Sequence, residues 1–193
     1  MIAYVALLIF GGALFAAEPQ DLAKPPSDIK QPEISAGVQN TSTELFFANN
    51  AEKLDVSETG SGLQYKTLMA ATGPSPAATD IVLIKYTGKL LDGTIFDTSD
   101  NSPSKQVVFQ ANQLVPGFSE GLLLMQKKSK FRFWIPAALA YGNSSPTPKV
   151  PANSALIFDV ELVDFISPEQ LRIYQQQALE DAVKRAAQKQ EPK

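Results

Sequence analysis

Three short stretches of the chain place an aromatic side chain beside a hydroxyl or a carboxylate group. They are Tyr86-Thr87-Gly88, Phe96-Asp97 and Ala140-Tyr141-Gly142. A buried tyrosine hydroxyl needs a hydrogen-bond partner, and Asp97 is the nearest candidate in the sequence for Tyr86. Chemistry at these stretches would depend on carboxylates, hydroxyls, backbone amides and the shape of an apolar surface. The simpler interpretation, which the pattern leaves open, is that these aromatic residues belong to an ordinary core.

The composition excludes most other kinds of active site. The 193 residues include no cysteine and no histidine, and the formal net charge is −3. Disulfides, thiolate or imidazole zinc sites, catalytic triads and imidazole bases are therefore excluded. Binding to nucleic acid usually requires a basic surface, which this charge does not indicate. We expect no metal and no cofactor, and a partner that is a protein or a peptide.

Hydrophobic periodicity predicts the elements that would position these residues. Residues 81–91 alternate, with Val82, Ile84 and Tyr86 on one face, and Asp92-Gly93 is typical of a hairpin turn leading to a return strand at 94–96. Further predicted elements are a strand at 107–109, a helix at 118–126 and strands at 131–135 and 156–162. Many hairpin-linked strands with one core helix indicate an α+β fold, an antiparallel sheet curved around one short helix.

The N-terminal residues differ in composition from the predicted domain. Residues 2–17 are apolar and uncharged, as in a secretory signal peptide, although an uncleaved membrane anchor is the alternative. Residues 18–40 contain four prolines and predict an extended linker. A short helix is predicted within the lead-in at 41–60. We therefore expect export, to the bacterial periplasm or to an anchored position at the inner membrane.

The C-terminal residues 167–193 predict a helix beyond the main domain, which spans 61–166. Ser167 is a suitable N-cap, Pro168 suits the first helical position and Gln170 completes a capping box. The helix is rich in charge and glutamine and carries only a narrow alanine stripe. It is predicted to be a solvated or loosely docked tail, with self-association through this helix as the alternative.

Two features of the outward strand positions leave alternatives open. Asp159 and Glu161 share one face of the last strand, where they are neighbouring exposed acids or, less simply, a pair able to act as in a glycosidase. Trp134 falls on the polar side of its strand. It is either an exposed aromatic residue or one that a terminal segment covers.

Five motifs, taken in order, resemble the FKBP-type peptidyl-prolyl cis-trans isomerases. The motifs are Tyr86-Thr87-Gly88, Leu91-Asp92-Gly93-Thr94-Ile95-Phe96-Asp97, Leu114-Val115-Pro116-Gly117-Phe118, Ala140-Tyr141-Gly142 and Ala155-Leu156-Ile157-Phe158-Asp159-Val160-Glu161-Leu162. The resemblance covers about residues 61–165. The lead-in at 44–50, followed by 62–66, is similar to the exported macrophage-infectivity-potentiator branch, whose long N-terminal helical region dimerises. Only the end of such a region is recognisable here, so we expect a monomer.

The resemblance implies a fold, an FKBP-like sheet around one helix, and a set of site residues. Tyr86, Asp97 and Tyr141 would be the catalytic residues, with Asp97 accepting a hydrogen bond and Tyr141 binding a substrate carbonyl together with the backbone amide of Val115. A flap at 143–151 would turn Val150 towards the pocket. The substrate-binding residues implied are Phe96, Val107, Leu114, Val115, Phe118, Val150 and Phe158.

The resemblance also implies a function that requires neither of the absent residue types. Rotating an X-Pro bond breaks no covalent bond, and its barrier of about 18–20 kcal/mol is lost amide resonance. An apolar pocket with suitable hydrogen-bond donors can lower this barrier without a nucleophile or metal. The substrates would be unfolded or proline-containing polypeptides, and macrolides of the FK506 or rapamycin type would be inhibitors.

Two departures from the family pattern motivate an alternative function. Phe118 stands where the family usually has a tryptophan, and Pro146 lies about where many members carry a histidine. The alternative is a non-catalytic chaperone or adaptor that uses the same pocket to bind proline-containing segments.

Overall fold

A computed structural model describes the backbone of residues 34–188 and the side chains of residues 41–185. The predicted signal or anchor segment and most of the predicted linker lie outside the described residues. The helices are α1 (Ile34–Ala51), α2 (Pro116–Leu124) and α3 (Pro168–Gln188). The strands are β1 (Ser57–Glu58), β2 (Gln64–Met69), β3 (Ile81–Leu90), β4 (Ile95–Thr98), β5 (Val107–Gln110), β6 (Lys130–Ile135) and β7 (Leu156–Ile166).

The seven strands within residues 34–188 form one antiparallel sheet. The order along the sheet is β1-β2-β6-β7-β3-β4, and β5 also pairs with β3. The strand that comes last in the sequence, β7, therefore lies between β6 and β3 near the centre. Alternate residues of β7 are buried, as expected for a sheet with one face on the core. The predicted α+β class is confirmed.

Helix α2 packs across the buried face of the sheet. It begins at Pro116, two residues before the predicted start, because proline suits the first turn, where no backbone donor is needed. Phe118 and Leu122 are buried. At Gly121 an added Cβ would lie only 2.7 Å from the ring of Phe133, so the glycine allows the helix to approach the sheet closely.

Helix α1 begins eight residues before the predicted start at Ser42. It therefore includes residues 34–40, which we had expected to be extended linker, and it ends at Ala51. The prolines of the linker stop at Pro32, so no missing amide or ring clash prevents a helix beyond that point. The linker prediction treated residues 18–40 as one stretch, so it missed the start of α1 at Ile34.

A buried amide pair joins α1 to the sheet. Asn50 and Gln64 are 1% and 2% exposed, and Nδ2 of Asn50 donates to Oε1 of Gln64 at 2.8 Å. The Nε2 group of Gln64 donates to the carbonyl of Phe47 at 2.9 Å and to Glu58 at 2.7 Å. Since buried polar groups are costly when unpaired, these bonds fix the end of α1 on β2.

Trp134 is covered rather than exposed. Its residue is 7% exposed, and its partner across the strands is Gln64, the residue that binds α1. Residues paired across neighbouring strands share a sheet face, so Trp134 lies on the face where α1 is attached through Gln64. Of the two alternatives for Trp134, the structure shows the covered one.

Helix α3 starts with the predicted capping box. The amide of Gln170 donates to Oγ of Ser167 at 3.1 Å, and the amide of Ser167 donates to the Gln170 side chain at 3.0 Å. Further along, Leu179 and Val183 are exposed. None of the helices in residues 34–188 is both long and apolar enough to cross a membrane.

Candidate active site

A cavity of about 220 Å³ opens between the buried face of the sheet and the start of α2. Its walls are mainly aromatic and aliphatic, with one carboxylate. The residues that line it are Tyr86, Phe96, Asp97, Phe109, Leu114, Val115, Phe118, Tyr141 and Phe158. Eight of the ten residues predicted for the site are therefore together.

A bulge in β4 brings two consecutive residues to this cavity. In the pairing of β3 with β4, Gly88 faces Asp97 but Lys89 faces Ile95, so Phe96 is the extra residue. In a regular strand, neighbouring side chains point to opposite faces of the sheet. The bulge removes this alternation locally, because two residues of one strand oppose a single partner residue. As a result Phe96 and Asp97 both line the cavity.

Tyr86 and Asp97 form the main polar contact of the cavity. The hydroxyl of Tyr86 donates to Oδ2 of Asp97 at 2.5 Å, and Oδ1 of Asp97 accepts the amide of Thr98 at 2.9 Å. Burial, and then this hydrogen bond, raise the pKa of the Tyr86 hydroxyl well above its usual value. Tyr86 therefore remains a protonated donor, and the contact holds the carboxylate in one orientation.

Phe158 is the centre of the aromatic wall. Its ring meets that of Phe118 edge to face, with centroids 4.7 Å apart, and that of Phe96 with centroids 5.5 Å apart. The ring centroid of Tyr86 lies 6.1 Å from that of Phe158. Edge-to-face pairs at these distances are favourable, so the rings support one another.

The remaining wall comes from the residues before α2 and from the segment after β6. Leu114 and Val115 line the cavity directly before Pro116, the first residue of α2. Tyr141 lies at the mouth and is 37% exposed. Burial and the negative charge of Asp97 raise the pKa of the Tyr141 hydroxyl, so it too remains a donor at neutral pH.

Two predicted residues do not line the cavity. Val150 is 2% exposed and belongs to the core, where its amide donates to Thr147 and its carbonyl accepts Oγ of Ser145. Val150 belongs to the core cluster and is not among the residues that line the cavity, so its predicted contact with substrate stays a prediction. Val107 is partly buried against the core on β5, opposite Ile84. It is not among the lining residues.

The sequence interpretation missed Phe109. It lies two residues after Val107 on β5 and shares its face of the strand, and its ring lies 6.4 Å from that of Tyr86. The larger side chain reaches the cavity, whereas the valine does not. Strand alternation alone could have predicted Phe109, because it places Val107 and Phe109 on the same face of β5.

Asp159 and Glu161 lie on the outward face and are paired with cations. Asp159 accepts two hydrogen bonds from Arg132 and one from Lys89, and Glu161 lies 3.1 Å from Lys130. Burial tends to raise the pKa of Asp159, but the hydrogen bonds from Arg132 and Lys89 hold it below its usual value. A general acid needs a raised pKa, so this pair does not suit glycosidase chemistry.

Across residues 34–188 no group of three acidic side chains is arranged to hold a metal ion.

Comparison with known proteins identifies the domain that carries the cavity. Residues 73–163 match the family model described as FKBP-type peptidyl-prolyl cis-trans isomerase. All nine lining residues and the bulged β4 lie within this range. Residues 73–163 are an FKBP-type domain.

Curated relatives and solved structures agree with this assignment. The chain is 46% identical over 125 residues to the FKBP-type peptidyl-prolyl cis-trans isomerase FkpA of Aeromonas hydrophila, covering 65% of this chain and 46% of the relative. It is 39% identical over 120 residues to the outer membrane protein MIP of Legionella longbeachae, covering 62% and 51%. The chain thus spans about half the length of these relatives. The crystal structure of FkpA from Escherichia coli superposes with a TM-score of 0.64 at 33% identity, covering 70% of this chain and 62% of that one.

Proposed function

We propose that this protein catalyses the cis–trans isomerisation of X-Pro bonds in unfolded or proline-containing polypeptides. The observation that carries the proposal is an aromatic cavity of about 220 Å³ whose one described carboxylate is held by Tyr86. The FKBP-type domain and its relatives named as isomerases support it. The activity uses no covalent intermediate.

The proposed mechanism combines the apolar walls of the cavity with two hydrogen-bond donors, the hydroxyl of Tyr141 and the amide of Val115. The prolyl ring packs among Phe96, Phe118 and Phe158, where water that stabilises the planar, dipolar amide is excluded. The hydroxyl of Tyr141 and the amide of Val115 bind carbonyl groups of the substrate. By holding the carbonyl groups that flank the rotating bond in the arrangement of the twisted form, these donors favour the transition state over the planar forms and lower the rotation barrier.

We further propose that the protein acts on exported polypeptides. The apolar segment at 2–17 supports export to the periplasm, with anchoring to the inner membrane as the alternative. A relative named as an outer membrane protein is consistent with this location. Fractionation of cells that express the full chain with a C-terminal epitope tests the location, and recovery only with cytoplasmic markers contradicts it.

The activity is tested with the full chain in a refolding assay limited by proline isomerisation. We expect the rate to rise in proportion to protein concentration and to fall when rapamycin is added, since a macrolide of this type should occupy the same cavity. Substituting Asp97→Asn provides an active-site control, and Leu45→Ala on the exposed side of α1 provides a distant one. No increase in rate with folded protein rejects the proposal. Suppression of aggregation without any increase in rate indicates the non-catalytic chaperone instead.

A further inference from the structure

Gly88 lies under the aromatic wall of the cavity. It is a buried residue near the end of β3, with Asp97 opposite it on β4 and Phe158 opposite it on β7. A Cβ atom at this position would lie 2.7 Å from Cζ of Phe96 and 2.8 Å from Cε1 of Phe158. Non-bonded carbon atoms prefer separations of about 3.5–4.0 Å. The two rings therefore occupy the space that a side chain at position 88 would need.

The two rings differ in their freedom to move. Phe158 is 5% exposed and is enclosed by Phe118, whose ring centroid lies 4.7 Å away, and by Tyr86. Phe96 is only partly buried and stands at the edge of the cavity. A methyl group at position 88 would therefore displace Phe96 further than Phe158, although its 2.8 Å approach to Phe158 requires a smaller shift there as well. Since Phe96 lines the cavity, this displacement would alter the space into which a ligand enters.

Other crowded glycines in the described residues do not meet the cavity in this way. At Gly121 the close atoms belong to Phe133, and at Gly117 they belong to Ile135 and Leu139, none of which lines the cavity. Those two glycines serve the packing of α2. The atoms that approach Gly88 all belong to cavity-lining residues.

We propose that Gly88 is a specificity-determining positioning residue, whose missing side chain sets the position of Phe96 and thereby the width of the cavity for a prolyl ring. The inference rests on the proposed isomerase function, because the ligand it concerns is the substrate of that reaction. Gly88 touches no reacting atom and acts through Phe96. Its effect should therefore appear mainly in KM, with a smaller change in kcat.

The test is a double-mutant cycle between Gly88→Ala and Phe96→Leu in the full chain. Leucine lacks the Cζ and Cε2 atoms that crowd position 88, so the added methyl group finds more room in that background. With the tetrapeptide Ala-Leu-Pro-Phe as substrate, we expect Gly88→Ala to lower kcat/KM about tenfold in the parent. In the Phe96→Leu background we expect the same change to lower it less than about threefold.

Controls separate this role from a general loss of folding. Gly60→Ala is the matched control, because an added Cβ there meets no atom within 4 Å, and it should keep the parent activity. Urea unfolding shows whether each variant is folded under assay conditions. If Gly88→Ala alone does not fold, Phe96→Leu must restore folding, and a double variant that stays unfolded contradicts the inference.

The outcomes also distinguish the two proposals from each other. A parent without turnover rejects the proposed function, and the same cycle is then measured as the affinity for the tetrapeptide by NMR titration. A parent that is active, with an equal loss from Gly88→Ala in both backgrounds, overturns the role of Gly88. Unchanged activity in folded Gly88→Ala overturns it as well.

Discussion

The hydroxyl of Tyr86 lies 2.5 Å from Oδ2 of Asp97, and the contact spans two neighbouring strands at the point where β4 bulges. A hydroxyl donor paired with a carboxylate forms a short, charge-assisted bond. The pair couples the position of the carboxylate to β3, the strand that also pairs with β7 at the centre of the sheet. The carboxylate on the outer strand β4 is thus anchored to β3, which pairs with the central strand β7.

Substituting Asp97→Asn should reduce activity much more than stability. The amide keeps the shape of the carboxylate but weakens the bond from Tyr86, and a hydrogen bond to a charged group contributes about 1.5–3 kcal/mol before solvent screening. We expect kcat/KM to fall about tenfold, which corresponds to roughly 1.4 kcal/mol. The urea midpoint should change little, because the site is open to solvent. A variant with parent activity would show that the carboxylate is not used.

The activity should not change between about pH 6 and 8. The chain contains no histidine, and burial raises the pKa of both cavity tyrosines above their ordinary value, so Tyr86 and Tyr141 keep their protons. The measurement is kcat/KM across this range at constant ionic strength. A clear step in the profile would require a titrating group that the described cavity does not contain.

The raised pKa of Tyr86 and the lowered pKa of Asp159 affect the free energy of unfolding at opposite ends of the pH range. A raised folded pKa, as for Tyr86, gives stability that is complete below the unfolded value near 10 and is lost as the pH rises through the folded value. A lowered folded pKa, as for Asp159, gives stability that is present above its unfolded value of 3.8 and is lost as the pH falls.

Asp159→Asn should therefore make the free energy of unfolding depend less on pH in the acidic range. At pH 7 we expect a cost of about 1 kcal/mol, since the ion pairs with Arg132 and Lys89 are partly exposed. Urea midpoints at pH 7 and pH 3 measure the difference, and isomerase activity should be unchanged. An equal loss of stability on acidification in the parent and the variant contradicts this assignment.

Phe158→Leu and Phe133→Leu form a matched pair of core substitutions. Both residues are buried on the same sheet face and pair across β6 and β7, but only Phe158 lines the cavity. We expect each change to destabilise the fold by roughly 1–2 kcal/mol, within the usual range for core substitutions. Activity measured well below the unfolding midpoint should fall only for Phe158→Leu. Equal losses of activity would mean that the cavity responds to core packing in general.

Asn50→Ala should loosen α1 and expose the single tryptophan. The change leaves Oε1 of Gln64 without the donor that it has in the native structure, at a cost of about 1–3 kcal/mol. Since α1 is attached at Gln64, the cross-strand partner of Trp134, we expect the native emission maximum to move to longer wavelength. Leu45→Ala, on the exposed side of the same helix, is the control and should leave the spectrum unchanged.

Alternation was sufficient to predict the strands that form the cavity floor. In β3 and β7 the apolar residues recur at every second position, and the buried positions follow this pattern through Val82, Ile84, Phe158 and Val160. The α+β class and the hairpin at Asp92-Gly93 follow from the same signals. Strands β1 and β2 were not predicted, because Gln64 to Met69 shows only weak alternation.

Several features of the site depend on tertiary contacts that leave no regular pattern. The bulge at Phe96 has no proline or glycine to mark it, and only the register between β3 and β4 reveals it. Val150 follows a proline-rich segment whose backbone is held by turn contacts to Ser145 and Thr147. The crowding above Gly88 arises from strands far apart in the sequence. These arrangements are properties of the assembled sheet.

The central place of β7 has a consequence for how the molecule is made. Strands β3 and β6 cannot be joined until residues 156–166 have been synthesised, because β7 pairs with both. Contacts between residues so distant in sequence form slowly, since loop closure precedes any gain from pairing. The same strand contributes Phe158, so the cavity also cannot form before β7 has been synthesised. The sheet, and with it the cavity, therefore cannot be completed until residues 156–166 are available for pairing.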